Sequence, residues 1–170
     1  MKNLKIFEAH GYAMPPKISS MLEDDGEGNY VFYHYSNEIR TEIKPSDGTY
    51  SRYTSREEKS ALSSVGGLAM FYTNSSDKES FVGDALHVVK IPHDKVYHFN
   101  SDLLEFYDVA RSKFLEKRPG QAFNPNYQLA WITKVANENG FEMTVAEWGR
   151  GLLRAQTTLT LEPTYSKMEK

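Results

Sequence analysis

The chain of 170 residues contains no cysteine. Disulfide bonds, cysteine-ligated zinc or iron–sulfur centres and thiol catalysis are therefore excluded. The chain also has no excess of positive charge, because 20 Lys and Arg stand against 23 Asp and Glu. The resulting net charge of −3 creates no strong overall field that would attract nucleic acid or an anionic membrane.

Long apolar segments are absent as well. No run of about 18 apolar residues occurs, so we expect no membrane-spanning helix and no membrane partner. The first residues, MKNLKIFEAHGY, carry Lys2 and Lys5 but no apolar region follows them. A secretory signal is therefore not expected. With the absence of cysteine, these features predict a cytoplasmic protein.

Three common catalytic or ligand-binding motifs are missing. No G-x-S-x-G sequence marks a hydrolase nucleophile, and Gly66-Gly67 lacks the Lys-Ser/Thr of a phosphate-binding loop. His87, His93 and His98 are spaced by 6 and 5 residues, which does not place them on one helical face. We interpret them as surface or turn histidines and predict no metal site.

Aromatic residues are abundant, with 11 Tyr and 9 Phe, and they favour strands and stacking pockets. Alternating or β-rich stretches predict strands, and 3.6-residue periodicity predicts helices. One helix is predicted after Ser55, which forms a capping-box pattern with Glu58. Another is predicted after Ser101, which we interpret as its N-cap. A further helix is predicted over 126–138. The predicted strands are 29–37, 68–74, 85–91, 96–99, 141–148 and 152–163.

This order predicts an α+β fold in one domain, because strands flank helices that lie in the middle of the chain. We divide the chain into an N-terminal arm over 1–28, a domain over 29–163 and a polar tail over 164–170. The arm contains Pro15-Pro16, which is unfavourable in both helix and sheet.

A set of ordered motifs runs through the domain. In the predicted first strand, FYHYS, His34 and Ser36 share one face and lie about 7 Å apart. The polar stretch HYSNEIRTEIKPSDGTYSRYTSREEKS follows, and Tyr72 lies in the next strand. The segments KVYHFNSDLLEF, NENGFEMTVAEW and LTLEP complete the series.

This series resembles the His-Tyr-Glu branch of the ADP-ribosyltransferase fold over about residues 30–163. It is most similar to the small transferase-like domains of phage and mobile-element proteins. The resemblance implies two small packed antiparallel sheets that form a split cleft, in which NAD binds as substrate and no metal is needed.

The resemblance also implies roles for individual residues. His34 would donate to the adenosine-side ribose, and Ser36 with its backbone would contact the nicotinamide amide. Tyr35 is a further predicted NAD-binding residue. Tyr72 would stack on the nicotinamide ring. Glu147 would be the catalytic carboxylate that binds the nicotinamide ribose and supports the oxocarbenium-like transition state.

Several positions compete for these roles. Glu142 is an alternative to Glu147, but their odd spacing places them on opposite faces of a regular strand. In many relatives the carboxylate opens the last strand, where this chain has Gln156, a neutral amide that could bind ribose. Tyr53 could replace Tyr72 as the stacking ring. Further candidate site residues lie together in one loop that could fold over the cleft: Arg56, Glu57 and Glu58.

The function implied is NAD-dependent mono-ADP-ribosylation of a host macromolecule, with a protein as the expected target. The alternative is a catalytically silent module of the same fold that inhibits or docks to a partner protein. A nucleic-acid target has less support, since the basic residues cluster only on the middle helix: Arg111, Lys113, Lys117 and Arg118.

Overall fold

A computed structural model describes residues 13–46, 55–74, 83–148 and 152–169. The alternative stacking residue Tyr53 lies outside these ranges. Within them the chain forms four α-helices and seven β-strands. The helices are α1 Pro16–Ser19, α2 Arg56–Ser64, α3 Phe106–Lys117 and α4 Pro125–Glu138. The strands are β1 Asn29–Ser36, β2 Ala69–Tyr72, β3 Ala85–Pro92, β4 Val96–His98, β5 Met143–Trp148, β6 Leu152–Thr157 and β7 Tyr165–Met168.

The strands form one seven-stranded sheet in the order β4-β5-β6-β2-β1-β3-β7. All neighbours are antiparallel except β4 and β5, which are parallel. The predicted α+β single domain with helices between strands is therefore confirmed. The strands are joined by hydrogen bonds into a single sheet, in place of the two small sheets that were predicted.

The contact between β1 and β2 is the narrowest in the sheet. These strands share one register pair, Tyr33 with Tyr72, whereas β1 and β3 pair along all of β1. Beyond this pair the chain leaves β1 through the segment 37–46, and Ser46 bridges to Leu68, the residue before β2. The sheet is thus nearly divided into one half of β4, β5, β6 and β2 and another of β1, β3 and β7.

Each face of the sheet is covered by its own core. Helices α2, α3 and α4 cover one face, which we call the helix face, and they bury Phe106 and Phe114 of α3 and Trp131 of α4. On the opposite face, which we call the arm face, a second cluster includes Phe32 and Phe71. Burial on both sides explains why successive residues of β1 are aromatic on both faces.

The N-terminal segment contributes to this second core. Met14, Ile18 and Leu22 are all buried in the arm-face cluster, so residues 14–22 are packed against the sheet. The sequence predicted that Pro15-Pro16 would oppose a helix here. A helix forms nevertheless, because Pro16 occupies the first helical position. A proline is tolerated there since that residue's amide has no helical acceptor.

The C-terminal segment that was predicted as a polar tail forms the edge strand β7. Tyr165–Met168 pairs with β3, and the strand is largely exposed. Lys167 is the charged residue of this strand, and a charged side chain on an edge strand discourages pairing with other chains.

Of the two predicted helix starts, one is confirmed and the other is wrong. The capping box at α2 is confirmed, since Ser55 Oγ accepts the Glu58 amide at 3.1 Å. Helix α3 begins at Phe106, four residues later than Asp102, the first helical residue that an N-cap at Ser101 predicts. The Asp102 carboxylate accepts the amides of Phe106 and Tyr107, each at 2.9 Å, and so serves the amino end of α3. Ser101 does not cap α3, and its hydroxyl contacts His98 instead.

In the part of the chain that the structure describes, no helix is both long and apolar enough to cross a bilayer.

Gly83 lies where the chain enters β3 and packs directly on β1. Its φ is +118°, and a Cβ built there would lie 2.4 Å from the Ser36 carbonyl oxygen. Gly83→Ala should therefore lower the free energy of unfolding by more than about 2 kcal/mol in urea denaturation. Gly120→Ala is the control, because its φ is +78° but no atom lies within 4 Å. A loss at Gly83 no larger than that at Gly120 would contradict this close approach.

Candidate functional site

His34 lies on β1 where the sheet begins to divide. Because β2 has left the β1 ladder at this point, the Met70 carbonyl accepts a hydrogen bond from His34 Nδ1 at 2.9 Å. This bond places the ring hydrogen on Nδ1. The second ring nitrogen, Nε2, has no hydrogen-bond partner among the described residues and is available as an acceptor.

A pocket of about 680 Å³ opens beside His34. Its wall is the segment 37–46 together with the end of β1. Charged side chains of both signs alternate along this segment, so the pocket could receive a polar ligand with both donors and acceptors. The residues that line it are His34, Ser36, Glu38, Ile39, Arg40, Thr41, Glu42, Ile43, Lys44 and Ser46.

A buried histidine holds this segment in place. His87 is fully buried, and its Nδ1 donates to the His34 carbonyl at 3.1 Å. Its Nε2 accepts the Arg40 amide at 2.9 Å. Both ring nitrogens are therefore satisfied by backbone groups, which fixes one tautomer of the ring. The prediction of a surface or turn position for His87 is wrong, because the side chain lies in the core.

The same segment is fixed at two further points. Ile43 exchanges backbone hydrogen bonds with Leu161, at 2.8 and 3.0 Å. Ser46 exchanges a similar pair with Leu68, both at 3.0 Å. These bridges, with the bond from Arg40 to His87, hold the wall of the pocket against both halves of the sheet.

The surroundings of His34 favour its neutral form. Partial burial lowers the pKa of His34, and the hydrogen bond to Met70 opposes this only in part. His87 and the positive charge of Arg40 lower the pKa further. The ring is therefore suited to accept a hydrogen bond at neutral pH.

The predicted site residues divide between the two faces of the sheet. Residues paired in register project to the same face, and side chains alternate along each strand. Tyr33 pairs with Tyr72, so Tyr72 lies on the helix face while His34 lies on the arm face. The pairing of Met70 with Gln156 places Gln156 on the helix face as well. The structure thus brings His34 together with Ser36, but not with Tyr72 or Gln156.

Two predicted site residues on the helix face, Tyr35 and Gln156, have surroundings other than the His34 pocket. Tyr35 donates to the Glu169 carboxylate at 3.2 Å, and burial together with that carboxylate raises the pKa of Tyr35 to about 12. Gln156 is fully buried, and neither amide atom has a partner within the described part of the chain. Neither residue lines the His34 pocket.

Glu147 shares the arm face with His34, because it pairs with Leu153 on β6. However, β2 and β6 lie between β1 and β5, so about 14 Å of sheet separates the two residues. Glu147 is close to His98 instead, with its Oε1 4.0 Å from His98 Nε2.

The remaining charged candidates for the catalytic site also lie outside the pocket. Arg56, Glu57 and Glu58 are exposed in the first turn of α2, where the two acidic side chains favour the helix amino end. Glu142 precedes β5, and its amide donates to the Lys95 carbonyl at 2.8 Å. In the described ranges no three His, Asp or Glu side chains are grouped so that they could hold a metal ion.

The basic residues of α3 are largely engaged within the protein. Lys113 pairs with Glu138 at 2.6 Å, and Lys117 lies 5.5 Å from the centre of the Trp131 ring. Arg118 donates to Tyr127 at 3.1 Å. These contacts account for three of the four basic residues that the sequence analysis grouped together.

The pocket wall contains residues that the sequence analysis did not select. In NEIRTEIK, charged residues alternate with Ile or Thr, a two-residue period that is typical of an extended segment. That period could have identified Glu38, Arg40 and Glu42 as one row of side chains. Their position beside His34 depends on His87 and could not be read from the local pattern.

No family model matches the chain, and no curated protein matches it. A solved structure described as "an anti-CRISPR protein" is similar, with a TM-score of 0.46 and 17% sequence identity. The match covers 84% of this chain and 96% of that one.

Replacement of His87 by Phe should release the pocket wall. The Arg40 amide would lose its acceptor, so its hydrogen exchange should become much faster and the free energy of unfolding should fall by about 1–3 kcal/mol. The Ile43 amide, which bonds to Leu161, is the internal control and should remain protected. Unchanged Arg40 exchange in a folded His87→Phe variant would show that this hydrogen bond does not hold the segment.

Proposed function

We propose that this protein is an NAD-dependent mono-ADP-ribosyltransferase that modifies a host macromolecule, and that NAD binds in the His34 pocket. The observation that carries the proposal is the neutral His34 ring at the edge of a pocket of about 680 Å³. With Nδ1 bound to Met70, the free Nε2 accepts a ribose hydroxyl. Ser36 also lines the pocket; its hydroxyl donates to the Glu38 carbonyl, so its oxygen can accept a hydrogen bond from the same ligand.

The division of the sheet supports this placement. The proposal assigns the split cleft to the opening between β1 and β2, where a single register pair joins the two halves. A dinucleotide in this position contacts β1 on one side and the segment 37–46 on the other. The halves of the sheet then take the roles of the two small sheets expected from the resemblance.

The chemistry requires a carboxylate close to the bond that breaks. Loss of nicotinamide leaves positive charge on the ribose, and a carboxylate fixed beside it stabilises the transition state. Glu38 and Glu42 line the pocket. Glu147 is separated from His34 by two strands. The proposal therefore assigns this role to a pocket glutamate if transfer takes place at His34.

A second function is favoured by a different observation. Tyr72 and Gln156 lie on the face opposite His34, so the side chains expected to surround NAD do not converge. This arrangement favours a catalytically silent module that inhibits or docks to a partner protein. Such a module would bind its partner without binding or cleaving NAD.

The two functions are distinguished by NAD itself. We expect calorimetry to detect NAD binding by the purified protein, and nicotinamide to be released on incubation. His34→Ala should reduce binding at least about tenfold, since it removes the acceptor for the ribose. His93→Ala is the matched control because His93 is half-exposed and outside the pocket. A folded wild-type protein that neither binds nor cleaves NAD would support the silent module.

The identity of the carboxylate can be tested in the same assay. Glu38→Gln or Glu42→Gln should lower nicotinamide release by about 100-fold or more at saturating NAD, because the amide cannot balance the developing charge. Glu147→Gln should retain release, since this residue lies outside the pocket. The reverse result, with loss only in Glu147→Gln, would contradict the assignment to the pocket and favour the sequence-based prediction.

A further inference from the structure

The turn between β4 and α3 has an unusual backbone. Asp102 and Glu105 have φ values of 42° and 56°, and both adopt the left-handed region without being glycine. Such residues carry a conformational cost that the surrounding structure must support, and they are concentrated at functional sites. The residue just before Asp102 is Ser101, which is exposed.

Ser101 is directly hydrogen-bonded to a histidine. Its Oγ lies 2.8 Å from His98 Nδ1, and its backbone amide donates to the same nitrogen at 3.3 Å. Because the amide can only donate, Nδ1 is an acceptor and the ring hydrogen resides on Nε2. The hydroxyl of Ser101 therefore donates to Nδ1, which is the arrangement needed to remove its proton.

The other ring nitrogen faces a carboxylate. His98 Nε2 lies 4.0 Å from Glu147 Oε1, a distance that a small side-chain movement can close. Asn100 Oδ1 accepts the Glu147 backbone amide at 2.7 Å and so ties the turn to β5. Burial lowers the pKa of His98, and the Glu147 carboxylate opposes this shift. The ring is thus neutral at rest and has an anion to stabilise it when it becomes protonated.

We propose that Ser101, His98 and Glu147 form a nucleophile–base–carboxylate triad that hydrolyses carboxylic esters. The turn also presents an apolar surface, because Leu103 is 53% exposed and Tyr107 is 37% exposed. These side chains suit a short apolar acyl group, which defines the substrate class. The site lies outside the His34 pocket and does not depend on NAD.

The reaction balances with water as the only co-reactant. Ser101 Oγ attacks the ester carbonyl while its proton passes to His98 Nδ1. The alcohol leaves with that proton, and the acyl group remains on Oγ. Water then attacks the acyl-serine, gives a proton to Nδ1, and releases the carboxylic acid as the proton returns to Oγ. Glu147 acts as a positioning residue by stabilising the protonated ring through Nε2.

A fluorophosphonate probe and p-nitrophenyl butyrate test this triad on the full chain. We expect one covalent adduct per chain, mapped to Ser101 by peptide mass spectrometry, together with ester hydrolysis above the rate of buffer. Ser101→Ala should abolish both. Ser63→Ala is the matched control, because Ser63 is exposed on α2 and bonds only to a backbone carbonyl, and it should leave both unchanged.

The histidine and the carboxylate need separate variants. His98 is buried, so a variant there could fail to fold, and Glu147→Gln is the principal test because Glu147 is exposed. Glu147→Gln should slow labelling at least about tenfold at pH 7. It should also move the pH midpoint of labelling lower, because the carboxylate that raises the His98 pKa is gone. No Ser101 adduct in folded wild-type protein, or the same rate and midpoint in Glu147→Gln, would overturn the proposal.

This test is independent of the NAD-binding site. His34→Ala should label at Ser101 at the wild-type rate, whatever it does to NAD binding. Loss of Ser101 labelling in a folded His34→Ala protein would overturn the separation of the two sites.

Discussion

The pairing of Tyr33 with Tyr72 is the contact on which the arrangement around the His34 pocket depends. It is the single register pair between β1 and β2, and it joins the two halves of the sheet. Because side chains alternate between faces, this pair also fixes which residues of β2, β6 and β5 share a face with His34. A shift of one residue would exchange the two faces of four strands relative to the other three.

The pocket follows from the need to satisfy buried polar groups. Burial of an imidazole without hydrogen bonds is costly, and His87 meets this need through the His34 carbonyl and the Arg40 amide. The second contact brings the segment 37–46 against β3. The opening of the ladder also frees the Met70 carbonyl for His34. One set of backbone contacts therefore shapes the pocket and orients its histidine.

The local features were predictable because their physics is local. The capping box of Ser55 and Glu58 and the helical period of α4 act over a few residues, and both were found as expected. The predicted start of α3 was wrong. Ser101 and Asp102 are both capping residue types, and only the Asp102 carboxylate accepts hydrogen bonds from the helix amides. The edge strand β7 was missed because its partner, β3, lies about 80 residues earlier.

The sequence by itself determined the α+β order, the alternation of β1 and the presence of a histidine and a serine on one strand face, since each depends on near neighbours. Only the tertiary structure decided which distant residues meet. Strand order placed Glu147 beside His98 and away from His34, and register placed Tyr72 on the helix face. These outcomes depend on pairing between strands far apart in the chain, and no local pattern specifies which strands become neighbours.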